Sequence, residues 1–324
     1  MQAAMGKSPV PKRVLVIGGG GFIGSHLAAH CAARGDSVHI IVRPGTAPGR
    51  LGHLPGTVYR VALGDRSAMA AVMASARPDQ VFHLAVADRR AALPELADAR
   101  LSVTDDLANL IAVIAACAAA PVPPAVLVRA GSLAEYGSGP APYVEEQREM
   151  PLDSYAAGLV AGTHYARMLG GRVPFAICTA RLALTYGPAQ SARFLLPVLI
   201  ARLLAGERVF VARPDDKRDL MHVDDAVAGL LRLADRPAVP VVNLATGIAP
   251  SMRAVALAAS AATGADPALI DFADDRAVGG IADFRGSGAL ARRLLDWAPQ
   301  IAFDTGLART VAWRRARVRT LEPV

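Results

Sequence analysis

The chain has 324 residues, enough for one large domain or two unequal ones with a sizeable core. It is 53% hydrophobic and 19% charged, and its net charge of +7 comes almost entirely from scattered arginines, the only lysines being Lys7, Lys12 and Lys217, so no nucleic-acid partner is expected. Three cysteines, Cys31, Cys117 and Cys178, lie far apart in apolar contexts without a CxxC pair, which excludes a disulfide scaffold and reads as buried thiols in a reducing cytoplasm.

The first thirteen residues lack the continuous apolar core of a signal peptide and read as a loose lead-in. From Val14 to Leu27 the chain runs VLVIGGGGFIGSHL, a buried strand, a tight turn and a helix. Gly18, Gly21 and Gly24 stand three apart, where glycine permits positive φ and a close approach of backbone to phosphate. A helix opening there aims unpaired N–H groups and its positive end at an anion, so the turn is a dinucleotide phosphate site. Ser37 to Val42 reads as the second strand of a βαβ unit. NAD sites usually end that strand on an acid that holds the adenosine ribose. Val42 and Arg43 stand there instead, and an arginine suits a 2′-phosphate, which favours NADP over NAD.

Val58 to Leu63 makes a third strand, Ser67 caps a helix to about Ala76, and Gln80 to Val86 is a fourth strand in which His83 reads as a satisfied core histidine. A long helical region follows from Leu93 to Ala119; its most apolar run, Leu107 to Ala120, is 14 residues, too short to span a bilayer, so no membrane association is expected. A helix apolar all round needs a partner besides the sheet, and a homodimer through the helices around 102–119 and 154–169 supplies one. Ala125 to Ala130 is a fifth strand, Gly131 and Ser132 open a long loop to Leu152, Asp153 or Ser154 caps a helix to about Leu169, and Val173 to Leu182 is a sixth strand. This alternation means an α/β fold with a doubly wound parallel Rossmann sheet. Beyond Pro188 come helices at 194–204, 223–234, 253–262, 289–295 and 305–317, a short strand at 208–211, and a buried strand at 240–244 returning to the sheet. The expected division is a dinucleotide-binding domain over 12–187 plus about 220–246, and a smaller, discontinuous α/β substrate domain over 188–219 and 247–320. No metal site is expected.

Taken in order, GGGGFIGSHL (Gly18 to Leu27), Gly64-Asp65, VFHLA (Val81 to Ala85), SLAEYG (Ser132 to Gly137), Tyr155-Ala156-Ala157, RLALTYGP (Arg181 to Pro188), RDLMHVDD (Arg218 to Asp225), VNLATG (Val242 to Gly247) and LLDWAP (Leu294 to Pro299) make the chain resemble the extended short-chain dehydrogenase/reductase family. That family contains nucleotide-sugar epimerases, dehydratases and ketoreductases. The resemblance implies a cofactor held by Gly18, Gly20, Gly21, Phe22, Ile23, Gly24, Arg43, Asp65, Leu84, Ala85 and Tyr155, with Asp65 accepting from the adenine amine. It implies that Ser132 hydrogen-bonds the substrate oxygen, that Tyr155 exchanges the proton, and that Arg218 clamps a nucleotide-sugar diphosphate, while Asp219 and His222 hold the local fold.

One departure bears on the chemistry. The family tyrosine belongs to a YxxxK motif, and Leu159 stands where the lysine should be. The lysine holds the nicotinamide ribose and favours phenolate; a leucine does neither. His164, nine positions beyond Tyr155, lies about 180° round the helix at about 100° per residue. A tyrosine without its cation keeps general-acid function better than general-base function. The expected activity is therefore NADPH-dependent reduction of a nucleotide-linked keto-deoxysugar, the alternatives being a nucleotide-sugar epimerase with bound NAD and a non-catalytic dinucleotide-binding relative. Leu133-Ala134, where dehydratases of the family carry an Asp-Glu pair, argues against dehydration.

Overall fold

The computed structural model describes residues 10–47, 52–85, 93–273 and 280–319. Most of the lead-in and Val86 lie outside these residues. β1 (Arg13–Ile17) sends alternate side chains to opposite faces. Val14 and Val16 join Leu27, Ala28 and Cys31 of α1 (Phe22–Ala33) in one core, while Leu15 and Ile17 join Met69 and Met73 of α2 (Arg66–Ala76) in another. A strand apolar on both faces is covered by helices on both, and each such aliphatic side chain contributes roughly 1.5–3 kcal/mol on burial.

The sheet continues with β2 (Ser37–Val42), β3 (Thr57–Arg60), β4 (Gln80–His83), β5 (Val126–Ser132) and β6 (Ala176–Leu182). Short parallel pairs follow: β7 (Leu184–Tyr186) with β10 (Leu220–His222), β8 (Val209–Val211) with β12 (Ile270–Phe272), and β9 (Lys217–Arg218) with β13 (Asp283–Phe284). β11 (Val241–Leu244) returns to pair with β6, as its apolar run predicts, and completes a seven-stranded parallel sheet in the order β11-β6-β5-β4-β1-β2-β3.

The remaining helices are α3 (Ala97–Leu101), α4 (Ala108–Ala118), α5 (Ser154–Gly170), α6 (Leu195–Leu204), α7 (Val223–Asp235), α8 (Met252–Thr263), α9 (Ala289–Leu295) and α10 (Phe303–Arg319). α1 and α7 cover one face of the sheet; α2, α4 and α5 cover the other. A third core gathers Leu199 of α6, Val255 of α8, Leu307 and Val311 of α10, Val209 and Ile270.

Several expectations change: the third strand ends at Arg60 and the sixth starts at Ala176, both shorter than expected, and three further differences concern the site's surroundings. Asp65, not Ser67, caps α2: its carboxylate accepts from the Ala68 amide at 3.0 Å, and the Ser67 hydroxyl donates to it at 2.8 Å. A longer acidic side chain placed at the cap position reaches the amide better than a serine already inside the first turn. β5 runs on through Gly131 and Ser132 before the chain turns, since both residues pair with β6. The helical region after Leu93 is broken into a 3-10 turn at Pro94–Leu96, α3, a π-helical segment at Ser102–Leu107, and α4. Together, Pro94–Ala118 is long and apolar enough to cross a membrane by length and composition, more than the sequence run suggests. In the fold its C-terminal part, α4, packs on the core with Leu110, Val113, Ile114 and Cys117 buried.

Candidate active site

The glycine turn has the shape of a pyrophosphate cradle. Gly18 adopts φ +85°, and a Cβ there would come 2.8 Å from the Ala85 nitrogen and 3.0 Å from the Leu84 carbonyl carbon. The turn therefore lies against the end of β4, where the Leu84 amide donates to the Ile17 carbonyl at 2.9 Å. A Cβ on Gly24 would strike the Gly18 carbonyl oxygen, so only glycine lets α1 start this close to β1. α1 opens at Gly21 with no side-chain cap, leaving the first amides of Phe22 and Ile23 to face whatever anion enters. A Cβ on Gly20 would stand 3.2 Å from Val42 Cγ1, which places the turn beside the end of β2 and the exposed Arg43. Arg43 makes no ion pair among the described residues. These residues fit a dinucleotide. Asp65 is exposed, and its two local hydrogen bonds hold its carboxyl below the usual range.

Ser132 and Tyr155 come together. Ser132 ends β5, its hydroxyl accepting from the Ala134 amide at 3.1 Å, while Tyr155 sits in the first turn of α5 behind the Asp153 cap. The Ser132 hydroxyl lies close enough to the Tyr155 phenol to favour its ionised form. Burial pushes the Tyr155 phenol up to about 12, with the Glu135 carboxylate acting in the same direction and Ser132 and Arg129 opposing. The phenol is a neutral donor at physiological pH.

Glu135 is fully buried and organises the surroundings. Oε1 accepts from the Ser132 amide at 3.1 Å; Oε2 accepts from Thr163 Oγ1 at 2.7 Å and from Arg181 Nε at 2.9 Å. Arg181 in turn reaches Glu149 and lies 4.5 Å over the Tyr136 ring. Gly131 leaves room for this carboxylate, since a Cβ there would collide with it.

Under α5, a row of polar residues interrupts the sheet. Val81, Leu127 and Ile177 are in register across β4, β5 and β6 and belong to the same core; two residues on, His83, Arg129 and Thr179 are in register and occupy the same face. Arg129 is 3% exposed and donates to Thr163 Oγ1 at 2.9 Å and to the Leu159 carbonyl at 3.0 Å. His83 is buried as expected but not satisfied: neither ring nitrogen has a hydrogen-bond partner among the described residues, and burial together with Arg129 pushes it down to about 4. His83, Asp106, Arg129, Tyr155 and Leu159 line one small pocket. Sequence reading passes over Arg129, although a charge inside the apolar strand VLVRA is a visible signal.

Arg218 does not present a free guanidinium. It donates to Asp216 at 2.7 Å and to the carbonyls of Lys217 and Ile281 at 2.8 and 2.9 Å. Its neighbours hold local structure: buried Asp219 accepts from Thr246, Gly247 and Gly286, and His222 caps α7 by accepting from the Asp224 amide. His164 is exposed and faces Glu149 at 3.6 Å, away from Tyr155, as the helical phase predicts.

The profile of the NAD dependent epimerase/dehydratase family matches residues 14–245. A UDP-glucose 4-epimerase of Mycolicibacterium smegmatis is 29% identical over 94% of this chain and 98% of its own. A dTDP-6-deoxy-L-talose 4-dehydrogenase (NAD(P)(+)) of Kitasatospora kifunensis is 31% identical over 75% of this chain and 76% of its own. The crystal structure of a Thermus thermophilus UDP-glucose 4-epimerase in complex with NAD superposes with a TM-score of 0.81 at 25% identity, covering 93% of this chain and 98% of that one. With strand order, glycine turn and the Ser132–Tyr155 pair all in place, the chain belongs to the NAD dependent epimerase/dehydratase family.

Proposed function

We propose that this protein binds NADPH and reduces a nucleotide-linked keto-deoxysugar. The observation that carries the reading is the neutral phenol of Tyr155 beside Ser132, on a helix with no lysine one turn on. A bound nicotinamide would supply the hydride. Ser132 donates to the ketone oxygen and orients the carbonyl. As the carbonyl carbon takes the hydride, its oxygen becomes an alkoxide and accepts the Tyr155 proton, which solvent later replaces. Oxidation, which starts by removing a hydroxyl proton, needs the phenolate that this environment disfavours.

Arg43 supports the phosphorylated cofactor, because a guanidinium fork binds a 2′-phosphate by charge-assisted hydrogen bonds. Arg43→Ala should raise the KM for NADPH about tenfold or more while leaving that for NADH nearly unchanged, about 1.4 kcal/mol of selective binding. Equal effects on both cofactors argue against a 2′-phosphate contact. The direct test of the activity is NADPH oxidation against a panel of nucleotide-4-keto-6-deoxysugars, with no turnover on any of them counting against reduction. The second reading is an epimerase with retained NAD, supported by the epimerases among the relatives. Release of NAD on denaturing the purified protein selects it.

A homodimer through the outer faces of α4, the π-helical segment and α5 fits this reading, since Val103, Tyr165 and Met168 are 57%, 42% and 49% exposed there. Met168→Glu should then convert a dimer to a monomer in sedimentation velocity; a native chain that sediments as a monomer removes the interface. The three buried free thiols support a reducing compartment.

A further inference from the structure

We propose that Arg129 supplies from β5 the positive charge opposite Tyr155 that Leu159 cannot supply from α5, acting on the phenol through space as a positioning residue. The inference rests on the reading of Tyr155 as the proton donor.

The geometry is specific to this pairing. Arg129 is buried in the middle of a parallel sheet, where an unpaired cation costs several kcal/mol and persists only with partners. Its hydrogen bonds to Thr163 Oγ1 and the Leu159 carbonyl are both with neutral groups of α5, so they hold the guanidinium beneath that helix without neutralising it. Room for it comes from Gly162, where a Cβ would stand 2.5 Å from Arg129 Nη2. The helix carrying Tyr155 thus has a leucine where the family motif has its lysine, a glycine one turn later, and an arginine rising from the sheet into the space between them. Arg129 and Tyr155 line the same pocket and interact electrostatically.

Among the described residues, the polar and charged groups around the phenol are few. Ser132 and Arg129 face it from β5, Glu135 from the turn after β5, and Asp153 from its own helix cap. Asp106 of the π-helical segment and His83 of β4 line the pocket. Asp106 and Glu135 also interact with Arg129. His83 is neutral near pH 7, since it is pushed down to about 4. Among the described residues Arg129 is therefore the one cation of this group, and the carboxylates oppose it. In the low-dielectric site a cation on this side offsets Glu135 and keeps the phenol from becoming a still weaker acid.

The test reads the phenol and not turnover. Tyr155 is replaced by 3,5-difluorotyrosine, which ionises near neutral pH, and its titration is followed by fluorine NMR in the full-length protein. Arg129→Met should raise the midpoint by about one pH unit or more, a tenfold or larger fall in the ionisation constant. Arg129→Lys, or Leu159→Lys added to Arg129→Met, should restore most of it. An unchanged midpoint in Arg129→Met overturns the proposal. If that variant does not fold, the native protein decides: the Arg129 guanidinium nitrogen resonances must shift with the same midpoint as the fluorotyrosine, and their silence overturns it equally. Should Tyr155→Phe retain full activity while the midpoint still moves, the proton-donor reading fails and the Arg129 proposal stands.

Discussion

Tyr155→Phe lowers kcat for ketone reduction by about 10²- to 10⁴-fold, equivalent to roughly 2.7–5.5 kcal/mol of barrier, with little change in thermal stability. The ring stays where it is, because phenylalanine fills the same half-buried site in the first turn of α5, and only the hydroxyl that meets Ser132 is removed. The alkoxide formed on hydride arrival would then keep only the Ser132 hydrogen bond, from a hydroxyl too weak an acid to give up its proton, and must wait for water. The pH dependence follows with its sign. Tyr155 is pushed up to about 12, so the acid is fully protonated across the physiological range. Its contribution to the reduction rate stays flat as pH rises and is lost only on approach to that value. Any measurable reverse oxidation should instead rise with pH, because it draws on the phenolate fraction. Steady-state rates in both directions, with circular dichroism melts of the two proteins, check this. A loss below threefold, or a reduction rate that halves between neutral pH and pH 9, would sink the assignment of Tyr155 as the proton donor.

Arg181→Met destabilises the fold by about 3–5 kcal/mol, the range for removing one partner of a buried ion pair. Arg181 is 1% exposed and Glu135 0% exposed. Without the guanidinium, Glu135 keeps only the Ser132 amide and the Thr163 hydroxyl, neutral donors in a site closed to water. Glu149 loses its charge partner as well, but it is nearer solvent and less costly. Urea unfolding of the variant gives the magnitude. The double variant Glu135→Gln with Arg181→Met should recover part of the loss, since the fully buried charge is then gone and only Glu149, nearer solvent, is left without its arginine. The double variant also separates stability from function: the introduced glutamine carbonyl can still accept from the Ser132 amide, so kcat should fall less than in Glu135→Ala, where that amide has no acceptor. A single Arg181→Met cost under about 1 kcal/mol would mean that the pair does not hold the site.

Much of this was open to inspection in the residues themselves. Val14 to Leu27 specifies its strand, turn and helix because every cause is local: a continuous apolar run, glycines at the three close approaches, and a helix start without a side-chain cap. The same locality places β2 at Ser37–Val42 and α9 at Ala289–Leu295 as the sequence predicts, while the cap of α5, open between Asp153 and Ser154 in the sequence, is Asp153. The ordered motifs carry the family, and the absence of a lysine at Leu159 is a fact of sequence alone.

What surrounds that leucine belongs to the tertiary structure. Register across β4, β5 and β6 aligns His83, Arg129 and Thr179, and no residue in any one strand states which neighbours it will meet. Arg129 precedes Tyr155 in the chain but meets it only because a parallel crossover folds α5 back over β5, with Gly162 leaving the gap. For the same reason Arg218, which a motif marks as a phosphate clamp, is found bound to Asp216 and to a carbonyl from the 281 segment. The glycine turn thus determines by itself that a dinucleotide can bind. The charge facing Tyr155 is decided by long-range packing, because burial and opposing charges set a phenol's acidity and both are properties of the folded chain.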